Sequence, residues 1–273
     1  MNIFITGASS GIGLAFAQEM LDQNHQVVVT VRKPEDKQRL EALGCFVLLI
    51  DLADIELIQP MFKQVLEYFN QQVDIVINNA AFGQVGALED VTVVCLKRQF
   101  DVNFFAVHEI TRCAIKQMRK QTGGKIVQVS SVLGIVSMKM RGAYNSSKYA
   151  LDGLCDTLRL ELQDTNIHIS LIEPGPITSN FRKNALDNFE KTIDIENSVH
   201  SKSYQIQLAR LKKVGPAAKF TLPASACVDK LNKIIKSKRP APRYYVTFPM
   251  HLFGLLKRIL STRMLDRILG KSG

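Results

Sequence analysis

The chain has 273 residues, 46% of them hydrophobic, and a formal net charge of +10 from 35 Lys and Arg against 25 Asp and Glu. At roughly 100–200 residues per domain this is one large domain or two small ones, and the apolar fraction excludes a disordered chain. Burial of ~70–75% of the unfolded surface removes the need for a stapling disulfide or metal, while the charge admits nucleic acid, an acidic membrane surface or an anionic small molecule as partner.

Short apolar runs read as buried strands at Ile3–Thr6, Val27–Val31, Phe46–Ile50, Ile75–Ile77, Ile126–Val129 and Ile167–Ile172. Helical patterns fall between them, at Leu14–Leu21, at Glu56–Phe69 and over a long stretch from Val91 to Met118. A fourth pattern places Leu151, Leu154, Cys155, Leu158 and Leu162 on one face. Continuous apolar strands suit a parallel sheet covered on both sides. Repeated strand–helix–strand order then predicts an α/β fold, a Rossmann-type doubly wound sheet with ligands outside the carboxyl ends of the strands. Beyond about residue 178 the pattern weakens. Residues 179–220 read as one or two helices on an insertion, Pro223 as the first turn of a helix running to Ser237, and Tyr244–Thr247 as a last short strand.

The first strand runs into Thr6-Gly7-Ala8-Ser9-Ser10-Gly11-Ile12-Gly13 and then an apolar helix. Glycines there permit a tight turn, close approach to a pyrophosphate and close helix packing. The helix N-terminus offers free N–H groups to phosphate. An acid at the end of the second strand would bind a ribose 2′-hydroxyl; this chain has Arg32-Lys33 instead. Two cations suit the extra phosphate of NADP, and a solvated pair opening the next helix is the other reading. Asp51, after the third strand, is placed either to accept from an adenine amino group or to cap the next helix.

Tyr144 and Lys148 are four apart and share one helix face. A cation one turn away lowers a phenol's pKa from ~10, making the pair a tunable acid and base for an alcohol or carbonyl oxygen. Lys148 can also donate to ribose hydroxyls. Ser131 ends a strand thirteen residues before Tyr144 and can meet the phenol on one oxygen. Asn103 is a poor helix former inside the long helical stretch; its amide either holds a water behind Lys148 or faces solvent.

In this set and order the chain resembles the short-chain dehydrogenase/reductase family. The matching residues are the Thr6–Gly13 turn, Asp51-Leu52, Asn78-Asn79-Ala80-Ala81, Asn103, Ser131, Tyr144, Lys148 and Pro174-Gly175-Pro176-Ile177-Thr178. The resemblance covers roughly residues 2–180 in register. It implies Ser131, Tyr144 and Lys148 as the catalytic triad with Asn103 as fourth member. It implies a cofactor site of Gly7, Ser9, Ser10, Gly11, Ile12, Gly13, Arg32, Lys33, Asp51, Leu52, Asn79, Ala80, Ala81, Pro174, Gly175, Ile177 and Thr178, shared with Tyr144 and Lys148. Ala81 stands where the family usually has Gly, and Arg32 resembles the NADP-preferring members. NADP(H) is the expected cofactor, with NAD(H) also usable, and a homo-oligomer is the usual family state. The expected activity is hydride transfer between NADP(H) and a carbonyl or alcohol; a non-catalytic NADP-binding regulator with the same fold is the alternative.

The charge is local to the C-terminal quarter. Residues 1–200 hold 19 basic and 23 acidic side chains, net −4, whereas residues 201–273 hold 16 basic and only two acidic ones, Asp229 and Asp266, net +14. From His251 to Leu269 an apolar row (Leu252, Leu255, Leu256, Ile259, Leu260, Met264, Leu265, Ile268) has helical spacing, with Lys257, Arg258, Arg263, Arg267 and Lys271 mostly off it. This predicts one amphipathic helix over residues 250–270. It either packs on the domain edge, lies on lipid, or rims a large apolar substrate pocket. The tail and the KRPAPRYYV stretch are similar to family members acting on steroids, retinoids or other lipophilic carbonyls. Zinc-finger spacing, RNP motifs and interleaved aromatic and basic residues are missing, so no nucleic acid is expected.

The whole of residues 1–273 thus reads as a single Rossmann domain: a cofactor and catalytic core over 1–178, a substrate loop over 179–220, and the C-terminal helix. Cys45, Cys95, Cys113, Cys155 and Cys227 have no CxxC pair and read as free thiols in a reducing compartment, with no metal. The opening MNIFITG lacks the regions of a signal peptide, and no apolar run nears the ~20 residues that span a bilayer. A cytoplasmic location follows as the expectation, with peripheral membrane contact through the tail left open.

Overall fold

The computed structural model describes residues 1–216 and 218–270; Lys271, one of the predicted tail cations, lies outside the described residues. Seven strands form one parallel sheet in the order β3-β2-β1-β4-β5-β6-β7. They are β1 (Asn2–Ile5), β2 (Gln26–Val31), β3 (Phe46–Leu49), β4 (Ile75–Asn78), β5 (Gly124–Val129), β6 (Ile167–Glu173) and β7 (Arg243–Tyr245). The order reverses direction between β1 and β4, the switch point where such sheets open a crevice for ligands.

Two apolar layers explain why the strands read as unbroken apolar runs. Phe4, Val28, Val76 and Ile126 face one layer. Their chain neighbours Ile3, Ile5, Val27, Val29, Ile75, Ile77 and Val127 face the other. Side chains still alternate with period two, but both faces are dry. The first layer is closed by α3 (Ile58–Tyr68), α5 (Ala106–Met118) and α6 (Gly142–Glu161), the second by α1 (Gly11–Asp22), α2 (Pro34–Glu41) and α9 (Ser225–Lys236). Pro223 precedes α9 rather than opening it: Ala224 is the cap and Ser225 the first helical residue.

Two predicted helices are interrupted. The Val91–Met118 stretch divides into α4 (Val93–Phe100) and α5, joined by a π-helical turn over Asp101–Phe105. The tail is two helices, α10 (Phe248–Ile259) and α11 (Thr262–Leu269), because Leu260 turns to extended backbone (ψ 144°) and Ser261 caps a new start. The apolar spacing carries on across the break, so periodicity alone could not locate it. The insertion forms α7 (Phe181–Thr192) and α8 (Ser201–Lys212) around a small core of their own. Tyr204 is fully buried there; its hydroxyl accepts from Ala87 N–H (3.0 Å) and donates to the Asp90 carboxylate. This clasp joins the insertion to the loop after β4.

Candidate active site

The sharp turn after β1 depends on glycine at two places. Gly7 (φ +69°) and Gly11 (φ +59°) adopt left-handed backbone, and a Cβ on Gly7 would sit 2.7 Å from Ala80 Cα. Gly7 N–H bonds Thr30 O and Thr30 Oγ1, each at 3.1 Å, tying the turn to β2. Ser10 caps α1 without a side-chain hydrogen bond, and the first bond inside the helix is Leu14 N–H to Ser10 O at 3.4 Å. The amides ahead of Leu14 have no partner within the helix and open onto a cleft, as an anion site requires.

Asn79 holds this turn from the neighbouring strand. Its Nδ2 donates to Thr6 O (3.1 Å) and Gly7 O (2.9 Å), while the amides of Asn79 and Ala80 donate to Thr6 Oγ1 at 3.0 and 3.1 Å. Gly13 packs behind it: a Cβ there would lie 2.4 Å from both Gly7 O and Asn79 Nδ2. Gly13 therefore supports the turn and does not line the cleft.

The cleft has a volume of about 650 Å³ and runs along the carboxyl ends of the strands. Of the residues predicted for a cofactor, Gly7, Ser9, Ser10, Gly11 and Ile12 line one end with Arg32, Asp51 and Leu52. Asn79, Ala80, Ala81, Pro174, Gly175, Ile177 and Thr178 line its middle. Lys33 does not: it is the extended residue capping α2 and lies outside the lining, so the two adjacent cations separate. Asp51 is already engaged. Its Oδ1 accepts from Ala53 N–H (3.0 Å), the capping role, and its Oδ2 accepts from Arg98 Nη2 (2.9 Å). Arg98, on α4, lines the same end of the cleft, and the sequence reading missed it. It also missed Arg39, whose Nη2 donates to Ser9 O at 2.5 Å. The signal in each case was a lone arginine on a helix, which carries no local information.

The segment after β6 is pinned from two sides. Val132 N–H bonds Pro174 O (2.8 Å), Gly175 N–H bonds Thr247 Oγ1 (3.1 Å), and Thr178 and Leu222 run parallel with Thr178 N–H on Leu222 O at 3.0 Å. These bonds hold Pro174–Thr178 along the cleft wall.

Ser131, Tyr144 and Lys148 come together at mid-cleft. Ser131 follows β5, while Tyr144 and Lys148 are one turn apart near the start of α6. Ser131 Oγ accepts from Leu133 N–H at 3.2 Å and lies near enough to the Tyr144 phenol to act on its ionisation, and the phenol ring meets Phe181 edge-on with centroids 5.4 Å apart. Lys148 Nζ donates to Val129 O at 2.8 Å and lies 5.8 Å from the centre of the Tyr144 ring. The electrostatics differ from the expected pair. Burial pushes the phenol up to about 12, and the neighbouring Ser131 hydroxyl opposes this only partly. Burial likewise brings Lys148 down to about 8, against the attraction of Asp152. Desolvation disfavours both charged forms.

Asn103 is buried, and its amide is already in use. Oδ1 accepts from Phe82 N–H (3.1 Å), and Nδ2 donates to Phe82 O (3.0 Å) and to Ser147 Oγ (3.2 Å). The side chain thus holds the loop after β4 to α6 and does not face solvent. The π-helical turn explains an asparagine mid-helix, because the turn aims it inward at the cleft floor.

A parallel doubly wound sheet, a glycine turn at a helix N-terminus and a serine–tyrosine–lysine group in the crevice define a nucleotide-binding oxidoreductase fold. Residues 1–189 match the short chain dehydrogenase family, and the chain belongs to that family of oxidoreductases. It is 37% identical over 268 residues to the oxidoreductase YbbO of Escherichia coli, covering 98% of this chain and 93% of that one. It is 30% identical over 278 residues to the NADPH-dependent 3-dehydrocapnine reductase of Ornithobacterium rhinotracheale, covering 98% and 95%. Among solved structures, a short chain dehydrogenase/reductase from Burkholderia phymatum in complex with NAD superposes with a TM-score of 0.78 at 25% identity, covering 98% and 94%.

Proposed function

We propose that the protein is an NADP(H)-dependent reductase or dehydrogenase acting on a lipophilic carbonyl or the matching alcohol. The observation that carries this reading is that Ser131, Tyr144 and Lys148 line the same cleft as the glycine turn, with Lys148 Nζ 5.8 Å from the centre of the Tyr144 ring. The residues fit the cofactor: the uncapped start of α1 suits a pyrophosphate, and Arg32 suits a further phosphate on the ribose. The name of the Ornithobacterium relative, NADPH-dependent, agrees. When bound, the nicotinamide supplies the hydride to the carbonyl carbon.

The chain supplies the rest. Ser131 Oγ donates to the carbonyl oxygen and fixes its position. As the carbon–oxygen π bond opens, Tyr144 gives its proton to that oxygen and becomes phenolate. Lys148, charged below about pH 8, stabilises that phenolate and offers its other N–H donors to the ribose. Phe82, Val85, Met138, Phe181 and Leu211 give the substrate end an apolar wall, which suits a lipophilic substrate.

The test is turnover of NADPH and NADH against steroids, retinal, fatty aldehydes and 3-oxoacyl esters, with Tyr144→Phe alongside. NADPH oxidation that Tyr144→Phe abolishes, with NADPH binding nearly intact, is the expected result. Binding of NADPH without turnover on the whole panel would favour the regulator reading.

Peripheral membrane contact is proposed on one observation. Phe248, Leu252, Leu255, Ile259, Met264 and Ile268 are exposed on α10 and α11, next to Lys257, Arg258, Arg263 and Arg267. Co-sedimentation with anionic vesicles that depends on residues 250–273 is the expected outcome. Among the described residues no helix is long and apolar enough to cross a membrane. A homo-oligomer in the cytoplasm is proposed from the family resemblance, to be read by light scattering and by cell fractionation.

A further inference from the structure

Two arginines from separate elements meet at the substrate end of the cleft. Arg141 is the residue before α6, three positions ahead of Tyr144; Arg210 is in the last turn of α8. Both line the cleft. Arg141 is held in place by bonds from Nη1 to Met140 O and from Nη2 to Gln207 Oε1, both 2.9 Å. Gln207 is one turn before Arg210 on α8, so the same helix face carries both. Arg210 Nη1 reaches Met138 Sδ at 3.7 Å, a weak acceptor.

Among the described residues neither guanidinium makes an ion pair. Of the described residues no glutamate lines the cleft, and its one aspartate, Asp51, pairs with Arg98. Burial, and then the charge of Arg210, push Arg141 down to about 10 from a group that ordinarily stays charged. Two partly buried cations lining one cleft repel each other, and no carboxylate among the described residues pairs with either. Their forks match the oxygens of an oxyanion, and Arg141 and Arg210 line the cleft that also holds Tyr144.

We propose that Arg141 and Arg210 form an anion site and that the substrate carries an oxyanion, a carboxylate or phosphate group, a few bonds from its carbonyl. The inference rests on the oxidoreductase reading for the word substrate, but not for the site itself. The lipophilic part of such a molecule lies against Met138, Phe181 and Leu211. One ligand then satisfies the apolar wall and the two cations together.

The experiment is calorimetric binding to the chain saturated with NADP+, using decanoate, decyl phosphate and methyl decanoate below their micellar concentrations. Decanoate or decyl phosphate should bind at least ~10-fold tighter than the neutral ester, a charge-assisted hydrogen bond's effect on affinity. The acid arm against the phosphate arm tells which oxyanion fits. Arg210→Gln and Arg141→Gln should each erase most of that preference, and Arg210→Lys should keep part of it. Melting curves check that each variant is folded, and Arg210→Lys serves if a glutamine variant is not. Equal binding of anion and ester, or a preference that survives the substitutions, overturns the anion site. Failure of turnover with binding preference intact overturns the oxidoreductase reading and leaves the site standing.

Discussion

Asn103 grips Phe82 by both of its backbone polar groups, accepting from the amide at 3.1 Å and donating to the carbonyl at 3.0 Å. A side-chain amide is the one group with a donor and an acceptor side by side for this task. The grip fixes the loop that runs from Ala80 along the cleft floor, and Gln99, one turn earlier, repeats it by donating to Phe82 O at 2.8 Å and accepting from Gln84 N–H at 2.7 Å.

Replacing Asn103 by alanine therefore leaves the part-buried Phe82 amide without its partner and the carbonyl with Gln99 alone. Asn103→Ala should lose about 1–3 kcal/mol of stability. A fall in the urea midpoint at unchanged slope reads that loss. A midpoint equal to wild type would mean that the grip contributes nothing.

Two glycines should respond in opposite directions. Gly13→Ala puts a methyl 2.4 Å from the Gly7 carbonyl and from Asn79, neither of which can move without opening the turn. It should weaken NADPH binding and lower the melting temperature. Gly153 lies inside α6 with nothing within 4 Å of a Cβ. Gly153→Ala should stabilise by about 0.5–1 kcal/mol, since it removes unfolded-state freedom at no steric cost. Thermal melts of the two variants, with a NADPH titration of the first, check both directions.

Arg32 is the cation that reaches the cleft at the end of β2, and Lys33 is not. Arg32→Ala should reduce kcat/KM for NADPH by about 10–100-fold while changing NADH little, as loss of a charge-assisted phosphate contact requires. Lys33→Ala should leave the ratio near wild type. Parallel initial-rate measurements with both cofactors check it; equal effects of the two substitutions would contradict the geometry.

A buried charge cluster behind the site should make stability fall as pH rises. Arg243 reaches Asp152 and Glu173 at 2.7 Å and Asp156 at 2.9 Å, so three carboxylates share one guanidinium. Burial and the charge of Asp152 raise the Glu173 carboxyl above its ordinary 4.5, against the pull of Arg243. A raised folded value means that the folded state keeps a proton the unfolded state has released. The contribution is present below 4.5 and is lost as pH climbs through the raised value. Urea unfolding at about pH 5 and about pH 7.5 should show a smaller pH-dependent loss in Glu173→Gln than in wild type. Matching losses would remove Glu173 as the cause.

Much of the fold was legible because the signals are short-range. Apolar runs located every strand to within about two residues, and the glycine turn announced the α1 N-terminus. The tyrosine–lysine spacing put two site residues on one face, since four residues make about one turn whatever surrounds them. What failed in the sequence reading depended on partners far along the chain. The tail's apolar spacing runs through Leu260 and Ser261, yet the backbone turns there. The partner of Asn103 in the π-helical turn, Phe82, lies 21 residues away in sequence.

The sequence by itself determined the sheet, the phosphate turn and the serine–tyrosine–lysine group, because local spacing and alternation dictate those. Tertiary structure alone decided that Lys33 leaves the cleft while Arg32 enters it, that burial raises the Tyr144 phenol, and that Arg141 and Arg210 line one cleft. Each of these is set by desolvation or by approach between residues distant in sequence. The net charge of +10 is thus an excess of the C-terminal quarter, where Arg210 lines the cleft and Lys257, Arg258, Arg263 and Arg267 form a row on the exposed tail helices.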